Sequence, residues 1–463
     1  MKSYKIFAIL AVMVFSAAQV AVGTPLDDYV AAPDDSYRYS LEKTIEGQGY
    51  TAYVLDMVSQ SWRSKSEVDR TLWKHWLTVV KPDEVTSSKA LLWITGGSND
   101  RPAPTSVESM LANIAIHTKT VVSELRMVPN QPLVFPDGGD PRSEDEIISY
   151  TFDKFWATGD ANWPLLLPMV KSAVRAMDSI HDCMISVSRG ALDINEFVVS
   201  GASKRGWTTW LTGAVDPRVI AIAPVVIDVL NMDEQMKHHY SAYGFYSNAI
   251  HDYEDLKIFE RLDTPRGREL IKFVDPYEYR TRYTMPKFMI NGTGDQFFLP
   301  DAAQFYFHDL PGEKYLRYVP NADHGLGGSD ADKSLLVFYK SILEDLPRPK
   351  FSWRVRKNSI IVTISGSPLG GKLMQVTLWQ ATNPKARDFR LETIGKVWKS
   401  SPLVPQGANT YGANTYTYVA KVAQPEKGWT AFFVELIYDS SLPIPYKFTT
   451  QVHVVPDTLP FAK

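Results

Sequence analysis

The alternation of short apolar segments with longer amphipathic ones is the feature that most narrows the fold of this chain. It runs through residues 47–135 and 197–345. Strands and helices that alternate in this way predict an α/β fold, with a mainly parallel sheet covered by helices on both faces. The functional groups of such a sheet lie on the loops at the carboxyl ends of its strands. The predicted strands are "TAYVLDMVSQ", "KALLWITGG", "TVVSELR", "EFVVSGA", "VIAIAPVVID", "PKFMINGTGD" and "KYLRYVP".

A different pattern begins beyond the two prolines at 347 and 349. Alternation of period two in runs such as "SIIVTIS", "KLMQVTLWQA" and "TAFFVELIY" predicts short antiparallel strands. A chain of 463 residues also favours more than one domain. We therefore predict an α/β domain over residues 24–348 and a small β-sandwich of the immunoglobulin or fibronectin type over residues 349–463.

The first 23 residues have the layout of a secretory signal peptide. Two lysines precede the apolar run "IFAILAVMVFSAAQVAVG", and cleavage is predicted after Ala18 or Gly23. The alternative is a membrane anchor, but a span needs about 20 apolar residues, and Ser16 and Gln19 interrupt this run. The mature protein is expected to be secreted and extracellular, with no membrane span after cleavage.

Net charge and cysteine content bear on two features of the chain, a nucleic-acid partner and an intrachain disulfide. The formal net charge of −3 gives no electrostatic reason to expect a nucleic-acid partner. Cys183 is the only cysteine, so no intrachain disulfide can form and stability must come from a buried core. We expect Cys183 to be a buried, unreactive thiol, because no basic group lies nearby in sequence.

Residues 231–283 interrupt the alternating pattern with a stretch rich in aromatic and charged residues. This insertion is either a cap over an active site or an ordinary helical excursion, and the sequence leaves both interpretations open. His238 and His239 are adjacent, and neighbouring residues on a helix point about 100° apart, so they are not a paired ligand set. No metal site is predicted.

The stretch "FVVSGASKRGWTTW" contains the candidate nucleophile, Ser203. A strand leads directly into the serine and a helix follows, which is the context of a nucleophile elbow. Gly201 fits the usual G-x-S-x-G pattern, but Arg205 stands where the second glycine is expected and Gly206 comes one residue later. By itself the stretch is equally compatible with an ordinary turn.

A nucleophilic serine needs a base and an acid that orients the base. Asp295 lies in a glycine-rich turn after "KFMI", with Asp301 and Asp228 as alternative acids, and His324 follows the strand "KYLRYVP". The order Ser203, Asp295, His324 is the chain order of α/β-hydrolases. Each residue has an ordinary structural explanation alone, but three correct types in the correct order predict a catalytic triad.

The remaining candidate groups surround the serine. The backbone N–H of Lys204 and that of Gly97, in "ITGGSND", are the predicted oxyanion donors. Arg205 and Trp207 are the candidate substrate-binding side chains. Lys204 and Arg205 suggest either an anionic substrate or a surface salt-bridge network. This chemistry requires no metal and no organic cofactor.

The segments "GASKRGWTTW", "ITGGSND", "PNQPLVF", "NGTGDQFFLPD" and "ADHGLGG" together resemble the PhoPQ-activated pathogenicity-related protein family. The resemblance covers most of the mature chain and implies an α/β-hydrolase fold. The family also includes secreted eukaryotic members, among them autocrine proliferation repressors of social amoebae. The start "TPLDDYVAAPDDSYRY" is similar to those members.

Two functions follow from these observations. The first is a secreted serine hydrolase that acts on an ester or peptide bond of a small-molecule or peptide substrate. The second is a secreted signal that slows proliferation or repels cells and uses the hydrolase fold as a scaffold, with a cell-surface receptor as its partner. A fold alone does not decide between them.

Overall fold

The computed structural model describes residues 23–365, 371–406 and 415–462. The predicted signal peptide, residues 1–23, lies outside the described residues except for Gly23. The strands are β1 (Arg38–Gly47), β2 (Tyr50–Ser61), β3 (Leu72–Pro82), β4 (Lys89–Ile94), β5 (Val122–Leu125), β6 (Glu196–Ala202), β7 (Val219–Val225), β8 (Lys287–Gly292), β9 (Lys314–Val319), β10 (Phe351–Arg356), β11 (Ser359–Ser365), β12 (Leu373–Asn383), β13 (Lys399–Pro402), β14 (Thr415–Lys421), β15 (Trp429–Tyr438), β16 (Tyr446–Thr449) and β17 (His453–Val455).

The helices are α1 (Pro25–Ala31), α2 (Ser109–Thr118), α3 (Asp145–Thr158), α4 (Leu166–Val187), α5 (Lys204–Val215), α6 (Met232–Tyr243), α7 (His251–Asp255), α8 (Ile258–Arg261), α9 (Pro265–Val274), α10 (Ala331–Leu343) and α11 (Leu391–Ile394). Short 3₁₀ helices occupy Asn248–Ile250, Pro276–Arg282, Ala302–Phe305 and Phe307–Asp309. No helix in the described part of the chain is both long enough and apolar enough to cross a bilayer.

The central sheet has the topology of an α/β-hydrolase. Its strands follow the order β1-β2-β3-β5-β4-β6-β7-β8-β9. The pairs from β5 to β9 are parallel, whereas β1, β2 and β3 continue the sheet with antiparallel pairs. All six residues of β8 are buried, as expected of a parallel strand covered on both faces. The predicted α/β fold is confirmed.

Helices pack on this sheet in two groups. One group consists of α1, α4 and α5, which contact one another, and the other contains α2 and α10. Cys183 lies on the buried side of α4, and burial raises the pKa of its thiol to about 11. The prediction of a buried thiol is therefore confirmed.

The chain changes to antiparallel strands between α10 and β10. Strands β10, β11 and β14 form a three-stranded sheet, while β12, β13, β15, β16 and β17 extend the central sheet. The junction is the pairing of β16 with β9, at Thr449 and Leu316. Phe288 of β8 packs on Phe448 of β16, with ring centroids 5.8 Å apart. The two parts therefore share a sheet and a hydrophobic core, and an independent domain over residues 349–463 stays a prediction.

The outer strands of the large sheet are β1 and β13. Strand β1 carries Arg38, Glu42, Lys43 and Glu46, and its pairing with β2 is irregular at residues 41–43. Strand β13 is four residues long, fully exposed, and contains a lysine and a proline. Both edges are polar and interrupted.

Candidate active site

Ser203 lies on the tight turn between β6 and α5, with φ 59° and ψ −128°. These angles are unfavourable for any residue other than glycine, and such strain is a property of the elbow that presents a nucleophilic serine. The N–H of Ser203 donates to the carbonyl oxygen of Val225 at 2.8 Å. The serine is thus held at the carboxyl end of the central strands, as the sequence predicts.

Two glycines make this turn sterically feasible. A Cβ at Gly201 would lie 2.8 Å from the carbonyl oxygen of Arg205, and a Cβ at Gly206 would lie 2.6 Å from Ile227. At position 206, α5 therefore packs closely against the end of β7 and the residue Ile227 beyond it. This explains why the second glycine stands at 206 and why a large residue is accommodated at 205.

Asp295 and His324 form a hydrogen-bonded pair on the loops after β8 and β9. Oδ2 of Asp295 lies 2.8 Å from Nδ1 of His324, while Oδ1 accepts the N–H of Phe297 at 2.7 Å. An ionised carboxylate can only accept, so Nδ1 carries the proton and Nε2 is the basic nitrogen. The imidazole also packs on the ring of Phe297, with centroids 4.2 Å apart. The pair is arranged as an acid that orients a base.

The loops that carry these three residues follow β6, β8 and β9, whose parallel alignment brings their carboxyl ends to one edge of the sheet. Nε2 of His324 is buried and has no hydrogen-bond partner among the described residues, so Oγ of Ser203 is not bonded to it in this structure. In unliganded enzymes this bond is often long and tightens only when substrate binds.

Asp228, the first alternative acid, is engaged elsewhere. Its two carboxylate oxygens accept the hydroxyls of Tyr306 at 2.5 Å and Tyr318 at 2.6 Å. Burial raises the pKa of Asp228 to about 7. Because both oxygens have tyrosine partners, Asp228 is not placed to orient His324.

Asp301, the second alternative, belongs to a buried ionic cluster. Its Oδ2 lies 3.0 Å from Nε2 of His238 and 2.6 Å from the guanidinium of Arg387. Burial opposes ionisation, but Arg387 and His238 outweigh it and hold the pKa of Asp301 well below its usual value. His239 instead accepts the N–H of Ser247 at 3.0 Å. The adjacent histidines therefore have separate partners.

The two predicted oxyanion donors are both next to groups that Arg205 joins: Lys204 directly precedes Arg205, and Gly97 follows Gly96, which the Arg205 guanidinium contacts. The N–H of Lys204 is at the first position of α5, where helical geometry supplies no acceptor. Gly97 follows β4 with φ 136°, a conformation that glycine adopts readily. At the preceding residue, a Cβ on Gly96 would collide with the Arg205 guanidinium. Arg205 thus connects the loop after β4 to the elbow, and the role of these N–H groups stays a prediction.

Lys204 and Arg205 direct their charges into the protein. Nζ of Lys204 lies 2.6 Å from Glu144 and 3.0 Å from Asp145, and the Arg205 guanidinium contacts both oxygens of Glu144 at 2.8 Å. Nε of Arg205 also donates to the carbonyl oxygen of Val128 at 2.5 Å. This geometry gives Arg205 a structural role, and its contact with substrate stays a prediction. The salt-bridge alternative describes the pair better, although the network is partly buried.

A cavity of about 50 Å³ adjoins Ser203, and its walls are almost entirely apolar. Trp207 is one of its lining residues, whereas Arg205 is not. Lys204 and Asp145 also line it, and the remaining walls are Ile227, Val229, Met232, Met236, Ile250, Tyr253, Ile258, Phe259, Phe297 and Phe298. Several of these residues come from the insertion after β7, so that insertion covers the serine as a cap does.

Glu144 and Asp145 are the residues near the site that the sequence pattern did not identify. Glu144 directly precedes α3 and Asp145 is its first residue, and both lie about 60 residues from the basic pair that they neutralise. Adjacent acidic residues could have been matched to the adjacent basic ones by charge. Charge does not specify a partner, however, and many other carboxylates of the chain would have matched equally well.

The sequence model of the PhoPQ-activated pathogenicity-related protein family matches residues 26–390. The chain belongs to this family. The Autocrine proliferation repressor protein A of Dictyostelium discoideum is 37% identical to this chain over 481 residues, covering 98% of this chain and 94% of that protein. The family match extends beyond residue 348, so the matched region of this PhoPQ-related protein includes part of the antiparallel region.

Solved structures similar to this PhoPQ-related protein include two esterases. Acetyl xylan esterase 1 from Thermoanaerobacterium has a TM-score of 0.48 and 14% identity, covering 69% of this chain and 91% of the esterase. A glucuronoyl esterase from Solibacter usitatus has a TM-score of 0.39 and 13% identity, covering 68% of this chain and 90% of that enzyme.

Proposed function

We propose that this PhoPQ-related protein is a secreted serine hydrolase that cleaves an ester or peptide bond. The observation that supports the proposal is a strained serine elbow at the same edge of the sheet as a hydrogen-bonded Asp295–His324 pair. A protein that served only as a scaffold would have no physical need for all three groups. Secretion rests on the predicted signal peptide, which N-terminal sequencing of protein from the medium would test.

In this mechanism Oγ of Ser203 attacks the acyl carbonyl carbon while Nε2 of His324 takes the hydroxyl proton. Asp295 holds the imidazole and stabilises its charged form. The N–H groups of Lys204 and Gly97 would stabilise the tetrahedral oxyanion. The bond to the leaving group then breaks, and His324 gives that group its proton. Water, activated by the same histidine, hydrolyses the acyl-enzyme and restores the serine.

The cavity beside Ser203 supports a substrate with a short apolar acyl group. Its walls offer few polar partners, and its volume of about 50 Å³ leaves little room for a long chain. Esters and peptides are both cleaved through an acyl-enzyme. A short apolar acyl group therefore fits a substrate of either class.

Labelling with a fluorophosphonate probe tests the proposal. Wild type and a control with an exposed serine removed, Ser106→Ala, should label equally. Ser203→Ala should not label, and His324→Ala should label at least about a hundredfold more slowly. A folded wild-type protein that does not react, or a Ser203→Ala variant that does, would contradict the hydrolase proposal.

The relationship to Autocrine proliferation repressor protein A favours a second candidate function, a secreted signal that represses proliferation through a cell-surface receptor. Purified wild-type and Ser203→Ala proteins added to cultures of the producing cells distinguish the two. Equal repression by both proteins would indicate a signal that needs no catalysis. Repression by wild type alone would indicate that hydrolysis is the signal-generating step.

A further inference from the structure

One segment of the antiparallel region leaves its sheet and lies against the loops of the candidate active site. It comprises residues 387–398, between β12 and β13, and contains the short helix α11. We name it the 387–398 segment. It is remote in sequence from Ser203, Asp295 and His324, and the mechanism described above assigns it no role.

The 387–398 segment contacts the turn that carries Asp295. The N–H of Leu391 donates to the carbonyl oxygen of Gly294 at 2.9 Å. A Cβ added at Gly294 would lie 2.8 Å from Cβ of Leu391, so the two backbones are in close contact. Because Gly294 directly precedes Asp295, any displacement of Leu391 acts on the turn that holds the carboxylate.

The same segment also holds the loop that carries His324. The Asn321 side chain bonds the backbone of Trp398 twice: Nδ2 donates to the carbonyl oxygen at 3.1 Å, and Oδ1 accepts the N–H at 2.9 Å. Trp398 is 4% exposed and packs on Phe433 of the central sheet, with ring centroids 5.3 Å apart. Asn321 is therefore anchored to a rigid part of the core three residues before His324.

A third contact fixes the residues that follow the turn carrying Asp295. Arg387, whose side chain is 2% exposed, pairs with Asp301, and Asp301 in turn bonds His238 of the cap helix α6. Arg390 reaches the cap independently, because its guanidinium donates to Oγ of Ser247 at 3.2 Å. The segment thus contacts the turn that carries Asp295, the loop that carries His324 and the cap.

We propose that the 387–398 segment sets the relative position of Asp295 and His324, with Asn321 and Leu391 as positioning residues. The inference rests on the proposed hydrolase function and deepens it. Acid and base lie on separate loops, and the 2.8 Å bond between them exists only if the two loops keep their spacing. The two loops also bond each other directly, since the N–H of Gly294 donates to the carbonyl oxygen of Ala322 at 2.8 Å, and a support that bonds both loops adds to that constraint. Misplacement by about 1 Å can cost about a hundredfold in rate.

Asn321→Gly tests the inference directly. Asn321 has φ 58°, which glycine adopts without strain, so the variant removes two side-chain hydrogen bonds and leaves the backbone compatible. The matched control is Asn358→Gly, which removes the bond from Nδ2 to the carbonyl oxygen of Val422 in the three-stranded sheet. We expect Asn321→Gly to react with the fluorophosphonate at least about tenfold more slowly per folded molecule.

The kinetic constants kcat and KM distinguish a change in the position of Asp295 and His324 from a loss of protein stability. On a short-chain ester, Asn321→Gly should lower kcat while KM stays within about twofold, because Asn321 does not line the acyl cavity. Asn358→Gly should keep the wild-type kcat even if its thermal midpoint falls by a similar amount. A folded Asn321→Gly protein with wild-type kcat and labelling rate would overturn the inference.

Leu391→Pro provides a second route if Asn321→Gly does not fold. Proline is tolerated at the first helical position, and the extended ψ of 139° at Arg390 suits a residue before proline. This variant removes the N–H that bonds Gly294 and should lower kcat in the same way, while wild-type kcat would overturn the inference. If neither wild type nor Asn358→Gly reacts with the fluorophosphonate, the proposed hydrolase function is refuted, and this inference is refuted with it.

Discussion

Arg205, two residues after the candidate nucleophile, holds the candidate site together through contacts within the protein. Its guanidinium is bound to Glu144 and to the carbonyl oxygen of Val128, and it packs on Gly96 in the loop after β4. The side chain therefore fixes the spacing between that loop and the serine elbow. Its positive charge is already paired with the carboxylate of Glu144.

Arg205→Gln should consequently impair the enzyme without changing its preference for charge. We expect kcat/KM to fall for an anionic and a neutral ester by the same factor, within about twofold, since Arg205 contacts neither. The free energy of unfolding should drop by about 2 kcal/mol, less than for a fully buried pair because Glu144 is 41% exposed. Ester kinetics and urea unfolding provide the measurements. Selective loss of the anionic ester would show that Arg205 binds substrate.

Glu144 should make stability depend on pH in acid. Burial opposes its ionisation, but Arg205 and Lys204 outweigh this and hold its pKa well below the usual 4.5. A lowered folded-state pKa adds stability above 4.5, and that contribution is lost as the pH falls toward the folded-state value. The difference in unfolding free energy between wild type and Glu144→Gln should therefore shrink from about pH 5 to about pH 3. A constant difference would contradict this assignment.

At the level of elements, the cap and the strand ends together determine the size of the cavity beside Ser203. Met236 of α6 lines it and is buried, so Met236→Ala should enlarge it. We expect wild type to prefer acetate and butyrate esters over octanoate, and Met236→Ala to shift the preference toward octanoate. Met184→Ala, which truncates an equally buried methionine of α4 away from the cavity, should destabilise the protein and leave the preference unchanged. Identical profiles in all three proteins would contradict this assignment of the cavity.

Helix α4 places Cys183 against the core, where burial raises the pKa of its thiol to about 11. Near pH 8 about one molecule in a thousand would carry the reactive thiolate, and the surrounding side chains block access. A disulfide reagent should therefore react with Cys183 only in urea, at a rate that follows unfolding. Cys183→Ser combined with Ser106→Cys supplies an exposed thiol as a positive control. Rapid reaction of native wild type would contradict the burial of this thiol.

At the scale of the whole molecule, both parts of the chain contribute strands to the large sheet, so we expect them to unfold as one cooperative unit. Removing residues after 348 would expose the edge of β9 and the face of Phe288 that packs on Phe448. We expect calorimetry of the full chain to show a single transition, and a fragment of residues 24–348 to be insoluble or unfolded. Two separate transitions, or a soluble and cooperatively folded fragment, would instead support an independent C-terminal domain.

The sequence predicts the fold class and the chain positions of the candidate triad because both are encoded locally. Each of Ser203, Asp295 and His324 follows its own apolar strand, and the observed β6 coincides with the predicted run "EFVVSGA". The predicted strands omit β1, β3 and β13. Strands β1 and β13 are largely exposed and polar, whereas Lys74 and His75 interrupt the apolar residues of β3. Local patterns also do not specify partners. The pairing of Arg205 with Glu144, and that of β16 with β9, join residues far apart in sequence.

The edges of the large sheet have a consequence for how the protein behaves in a crowded solution. A sheet with fourteen strands in the described residues would be an effective template for a second chain if its outer strands were flat and apolar. Strand β1 instead presents charges and an irregular register, and β13 ends at Pro402. A neighbouring molecule that paired there would have to desolvate charges and lose ladder hydrogen bonds. The width of the sheet can thus increase the buried core without making the protein prone to fibrillar assembly.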